Sequence, residues 1–240
     1  FIKKGDRVLL KVNAAFASSP MLCATTHPDM VAAITRLCFK AGAAAVTITD
    51  NPINDPASCF RLTGIEQAAR SAGATVLFPK NEFFKLFSLE KAQLIRNWPV
   101  LYEPLSRIDK IIGTAPVKDH HRSGASMIMK NWYGLLGGRR NIFHQDIHTI
   151  IKELAMMIKP TLVVLDGNTT MMRNGPTGGS LSDLKETRTM IVSTDQVAAD
   201  AFGATLLDKT VDELTFIKKA EAMNLGTADF QSLNPVMESI

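Results

Sequence analysis

Residues 7–50 read RVLLKVNAAFASSPMLCATTHPDMVAAITRLCFKAGAAAVTITD, and this stretch decides the fold. Residues 7–13 are a short, continuous apolar run after a Gly5-Asp6 turn, the pattern of a strand covered on both faces. A loop of small residues follows. Met30, Ala33, Ile34, Leu37, Cys38 and Ala41 then recur at helical spacing, with Thr26 placed to cap, Pro28 in the first turn and Gly42 as the stop. Residues 45–50 are a second strand that ends on an acid. Strand, helix and strand in succession make a βαβ unit, which implies parallel pairing and a right-handed crossover.

The alternation continues outward from this unit. Residues 64–71 read as a helix stopped by Gly73, and residues 74–78 as a third strand. Further buried-type strands are expected at 110–115, 161–166 and 189–193. Helices are expected at 126–136, 142–158, from Asp195 through Leu206, and at 212–223. Residues 79–107 show no clear period and carry Pro99 and Pro104. The pattern predicts an α/β fold, a mostly parallel sheet flanked by helices. It reads as one domain over 1–240, with room for two Rossmann-like lobes, 1–80 and 108–240, around an irregular bridge at 81–107.

The 240 residues are 46% hydrophobic and 21% charged, enough apolar content for a sizeable core. Net charge is +4, but there are only two Trp and two Tyr and no long basic run. This argues against nucleic acid as a partner; the local positive charge at Arg122, Lys130, Arg139 and Arg140 reads either as a solvated surface or as a site for a small anionic molecule. Three cysteines and no C-x-x-C give neither a disulfide framework nor an iron–sulfur cluster. No apolar run approaches the ~20 residues of a membrane span. The chain starts at Phe1 rather than Met, so a cytoplasmic location and, after loss of an upstream export signal, a periplasmic one both stay open.

In open α/β sheets, ligands gather at the carboxyl ends of the strands. Asp50, residues 118–121, residues 166–179 and Asp195 all follow predicted strands, which makes them one candidate site. The densest part is residues 116–148, PVKDHHRSGASMIMKNWYGLLGGRRNIFHQDIH, with four of the five histidines. His144 and His148 stand at i and i+4 of an expected helix, so with His120 and His121 they are candidate ligands for nickel, zinc or iron. Two half-buried polar residues beside an apolar stripe is the alternative for the pair alone. Lys130, after Met127-Ile-Met129, reads either as a desolvated base or nucleophile or as an amine snorkelling to solvent. Lys118 and Asn131 stand beside these groups as binding candidates. Gly137-Gly138-Arg139-Arg140 offers backbone amides and two guanidiniums to a phosphate or carboxylate. Gly175, Gly178 and Gly179 form a second loop where backbone can approach a ligand, though neither a Walker A nor a G-x-G-x-x-G pattern is present. Asp166 is a candidate catalytic acid. Asp200, in an apolar helix, needs a partner if buried, with an arginine the structural option.

Several motifs together resemble the domain-of-unknown-function family 362: L-L-K-V-N at 9–13, I-T-D-N-P at 48–52, V-K-D-H-H at 117–121, M-K-N-W-Y-G at 129–134, R-N-I-F-H at 140–144, N-G-P-T-G-G at 174–179 and S-T-D-Q-V-A-A-D-A at 193–201. Val12 stands where that family usually has Pro. Relatives with a C-x-x-C-rich ferredoxin-like module bind clusters; this chain lacks the module. Export of some relatives by a twin-arginine signal fits the start at Phe1. More distantly, His120-x3-Gly124-x-Ser126-x3-Lys130 with His144 is similar to the pattern of nickel-pincer lactate racemases. That similarity implies a metallo-nucleotide tethered at Lys130, with His120 and His144 as ligand or base. The glycine-rich turn that precedes the racemase lysine is replaced here by Met127-Ile-Met129. The expectation is an enzyme for a small anionic substrate, with Lys130, His120, His144 and Asp166 at the chemistry. The alternative is a non-catalytic binder of phosphate or carboxylate.

Overall fold

The computed structural model describes residues 1–239. In chain order, β1 (Arg7–Lys11), α1 (Pro28–Lys40), β2 (Ala45–Thr49), α2 (Pro56–Leu62), α3 (Ile65–Ser71) and β3 (Thr75–Val76) come first. They are followed by β4 (Phe84–Phe87), β5 (Trp98–Leu101), the single turn α4 (Tyr102–Leu105), β6 (Lys110–His120), β7 (Gly124–Ser126) and α5 (Ile128–Asn131). The chain closes with α6 (Ile147–Met157), β8 (Leu162–Met171), β9 (Leu184–Ser193), α7 (Gln196–Leu206) and α8 (Thr215–Glu221). One seven-stranded sheet runs β3-β2-β1-β6-β8-β9, with β7 folded back on β6. The pairs among β1, β2, β3, β6 and β8 are parallel; β9 and β7 are antiparallel additions.

The apolar run of β1 is explained by cover on both faces. Leu9 joins Ile111, Val163 and Leu165 beneath α5 to α8. Its neighbours Val8 and Leu10 point the other way, to Val46, Ile48 and Ile112 beneath α1 to α3. β1 lies between β2 and β6, so residues 1–80 and 108–240 build a single sheet.

Local chemistry shifts several boundaries. His27, not Thr26, caps α1, its Nδ1 accepting from Asp29 N. Thr26 instead ties loop to sheet, accepting from Asn13 N and donating to the Thr114 carbonyl. The helix expected at 126–136 is divided into the end of β7, one turn of α5 and a 3-10 turn, Trp132–Leu135. The helix expected at 142–158 begins as α-helix only at Ile147, where Asp146 caps it through Thr149 N; Arg140–Asp146 is 3-10. The loop after Asp166 starts later than expected, because β8 runs on to Met171 and pairs antiparallel with β9. The last helix is shorter than expected, Thr215–Glu221.

The bridge at 81–107 is ordered. β4 and β5 pair antiparallel, and the loop between them is held by Glu153 of α6. That buried carboxylate accepts from the backbone amides of Gln93, Leu94 and Ile95 at 2.7, 3.0 and 2.9 Å. Among the described residues, no helix is long and apolar enough to cross a membrane.

Candidate functional site

The carboxyl ends of β1, β2 and β6 open into a cleft of about 1100 Å³. Its floor is an ion pair that sequence reasoning missed. Lys11, the last residue of β1, is fully buried and lies 2.9 Å from Asp50 Oδ1. Its ammonium also donates to the carbonyls of Val12 and Asn131, at 2.6 and 2.8 Å, and to Asn131 Oδ1 at 3.0 Å. Burial lowers the Lys11 pKa, with Asp50 opposing. Asp50 Oδ2 in turn accepts from Ala14 N at 2.7 Å. Gly134 packs so closely that a Cβ there would overlap Asp50 Oδ1. The signal for this pair was present: a lysine directly after Val-Leu-Leu, in a strand read as covered on both faces, has to find a buried partner.

Lys130 is aimed at the cleft by the residues before it. Met127, Ile128 and Met129 are buried, which turns the amine away from the core. The turn that carries it is held by Asp200 of α7, whose carboxylate accepts from Ile128 N and Met129 N at 2.9 and 3.0 Å. Asp200 thus pairs with backbone rather than with an arginine, and burial pushes it up to about 7. Burial, then Arg140, lowers Lys130 to about 8. Among the described residues its ammonium makes no hydrogen bond; the Tyr133 ring lies 5.4 Å away. Lys118 is buried too, donates to the Ala24 carbonyl and lies 5.2 Å from the Phe16 ring. Burial and Lys130 lower it to about 7.

Three of the four histidines gather here. His120 stacks on His121 with centroids 4.9 Å apart and on His144 at 6.1 Å. Burial, with Lys130 next in weight, lowers His120 to about 2, so its ring is neutral at physiological pH. Burial and Lys130 also lower His144. His148 does not join them. Because α6 starts at Ile147, His144 and His148 lie in different helices, and His148 stacks on Phe216 of α8 at 6.3 Å. The i, i+4 face expected from the spacing therefore does not exist. Among the described residues, no group of three His, Cys, Asp or Glu side chains is placed to hold a metal ion.

The other expected residues separate. Arg140 lines the cleft, but its guanidinium is occupied: Nη1 donates to the carbonyls of Tyr133 and Leu136, Nη2 to those of Asn51 and Pro52. It staples the loop after β2 to the turn after α5 instead of presenting a free fork to an anion. Arg139 is exposed and outside the cleft lining. Asn131 lines the cleft, its amide spent on the carbonyls of Lys11 and Thr114. From the glycine loop only Pro176 reaches the cleft. Gly175 N donates to Asp119 Oδ2, and a Cβ at Gly175 would overlap the Asp119 carbonyl, so this glycine serves a backbone crossing. Gly178 N is spent on the Asn174 carbonyl, and Gly179 is exposed. Asp166 accepts from Asn168 N and is absent from the lining.

The lining carries Lys80, Lys118, Arg122, Lys130 and Arg140 against one carboxylate, Asp50, which is already paired. Such a cleft favours negative charge.

A family model described as "Domain of unknown function (DUF362)" matches residues 8–205. The chain is 27% identical over 248 residues to a thylakoid-associated protein of Synechocystis sp., covering 98% of this chain and 71% of that protein. Among solved structures it is similar to the lactate racemase apoprotein from Thermoanaerobacterium thermosaccharolyticum, with a TM-score of 0.49 and 12% identity over 89% of this chain. The chain spans 50% of the length of that racemase.

Proposed function

The chain belongs to the DUF362 family, whose description states no activity, and from the chemistry of its cleft we propose an enzyme that binds a small anionic molecule and acts on it with the Lys130 amine beside the reacting centre. One observation carries this reading. Two cleft lysines, Lys118 and Lys130, have depressed pKa values, and among the described residues neither has a carboxylate partner. An anionic ligand would supply the missing counter-charge. An amine titrating near neutrality is also suited to proton transfer. His120 and His144 add uncharged imidazoles on the same wall.

The sequence expectation of a nickel, zinc or iron ion enters no step of this reading. His148 faces α8, and the His120 Nδ1 is taken by the backbone amides of Arg122 and Ser123. The imidazoles present do not make a closed ligand set. A metallo-nucleotide on Lys130 would lack the same histidine support.

The test is a panel of small hydroxy-, oxo- and phospho-acids incubated with the protein and followed by NMR. The expected result is turnover of one class, slowed ~100-fold or more by Lys130→Gln. Saturable binding without turnover of any member would favour a non-catalytic holder of phosphate or carboxylate. That second reading is supported by the engagement of Asp50 with Lys11, which among the described residues leaves no cleft carboxylate free for proton transfer.

A further inference from the structure

We propose that the cleft selects anions that carry an O–H group beside the charge, because His120 and His144 are held in opposite tautomers. The inference rests on the anion reading above and adds to it the class of ligand.

The Nδ1 atom of His120 receives two backbone N–H groups, from Arg122 and Ser123, each at 3.2 Å. Both are donors only, so Nδ1 is a lone pair and the ring proton sits on Nε2. The surroundings of His144 impose the reverse. Its Nδ1 lies 3.2 Å from the Asn141 carbonyl, which can only accept. It also lies 3.3 Å from Tyr133 Oη, whose own proton is donated to the Arg140 carbonyl at 2.6 Å. His144 therefore carries its proton on Nδ1 and leaves Nε2 a bare lone pair. The two rings are stacked, 6.1 Å between centroids and 22° between planes, and both line the cleft. Among the described residues neither Nε2 has a hydrogen-bond partner. His121, with Nδ1 3.3 Å from the Gly175 carbonyl, has the His144 arrangement and also stacks on His120.

The wall thus offers one fixed donor, His120 Nε2–H, beside a fixed acceptor, His144 Nε2. A ligand with only lone pairs satisfies the first and repels the second. A ligand with an oxyanion and a neighbouring hydroxyl satisfies both. Hydrogen phosphate and hydroxy-carboxylates share this chemistry; sulfate and simple carboxylates lack it. A site that leaves an acceptor facing an acceptor discriminates through the unpaired group.

Two measurements test the inference on the full chain. Nitrogen-15 histidine spectra of the free protein read the tautomers directly: Nε2–H for His120 and Nδ1–H for His144 are expected. The reverse assignment, or the same tautomer on both rings, would overturn the proposal. Competition titrations at about pH 8 then compare hydrogen phosphate with sulfate, and glycolate with acetate, each pair of equal main charge. The O–H member should bind about tenfold tighter or more in at least one pair. The pair that shows the preference identifies the phosphate or carboxylate source. His144→Gln, whose amide can rotate to donate, should bring that ratio towards one. Equal affinity in both pairs would overturn the selectivity. Failure of all four anions to bind would overturn it together with the anion reading, whereas the histidine spectra judge the tautomers alone. If the variant fails to fold, the wild-type spectra and titrations decide.

Discussion

Lys11 Nζ and Asp50 Oδ1 meet 2.9 Å apart, both side chains buried, where the first two strands of the sheet end. This pair lies beneath the cleft, which Asp50 lines, and fixes the loops around it, since Lys11 also holds the backbone and side chain of Asn131 next to Lys130. Lys11→Met would leave a buried carboxylate without its cation. The expected loss is about 3–5 kcal/mol of unfolding free energy, read by denaturant titration. Gly134→Ala would act on the same pair, because its methyl would occupy the place of Asp50 Oδ1. A change below about 1 kcal/mol for Lys11→Met would show that the pair does not hold the floor together.

Arg140 and Lys130 are expected to part company under mutation. Arg140 spends its fork on four backbone carbonyls, and a lysine cannot reproduce that planar geometry. Arg140→Lys should cost about 1–3 kcal/mol of stability. Lys130→Gln removes an ammonium that has no hydrogen-bond partner among the described residues and whose charge burial disfavours, so the unfolding midpoint should hold or rise while anion affinity drops. Equal loss of stability in both variants would contradict these separate roles.

The lysines give the cleft a pH dependence. Lys118 and Lys130 titrate at about 7 and about 8 in the folded chain, both lowered chiefly by burial. An anion prefers the charged amines, so binding should take up protons near neutrality. Affinity should fall as pH rises through that window. Titrations with the same anion across it, at constant ionic strength, check this. Affinity that rises with pH would mean that the amines are not the binding groups.

His120 predicts a loss of stability on the acid side. Its folded pKa, about 2, lies below the ordinary histidine value, chiefly through burial. Between the two values the unfolded chain binds the extra proton, so stability is full above the unfolded pKa and declines as pH falls below it. The slope contributed by this one group approaches about 1.4 kcal/mol per pH unit. His120→Gln should flatten that slope, measured as unfolding free energy against pH.

The sheet was legible because its signals are local. The run Val8-Leu9-Leu10, the helix from Pro28 and the strand ending at Asp50 announce a βαβ unit within one stretch of chain. The gathering of Lys118, His120, His121, Lys130 and His144 along one cleft was legible from strand ends and from the density of polar groups over residues 116–148. What could not be read depended on contacts distant in sequence. Asp200 reaches back to cap the turn that carries Lys130, Glu153 organises the loop at 93–95, and Arg140 is spent on Asn51 and Pro52. The His144–His148 spacing misled because a cap at Asp146 changes the helix type between the two residues. The glycines at 175–179 suggested ligand contact, whereas Gly175 makes room for the Asp119 backbone.

The most direct test is an equilibrium titration with inorganic phosphate at constant ionic strength, on the wild type, Lys118→Gln and Lys130→Gln. One saturable site per chain is expected in the wild type, weakened about tenfold or more in each variant. The Lys130→Gln chain should unfold no more easily than the wild type. Phosphate that fails to saturate, or binds all three proteins alike, would contradict an anion site built on these two amines.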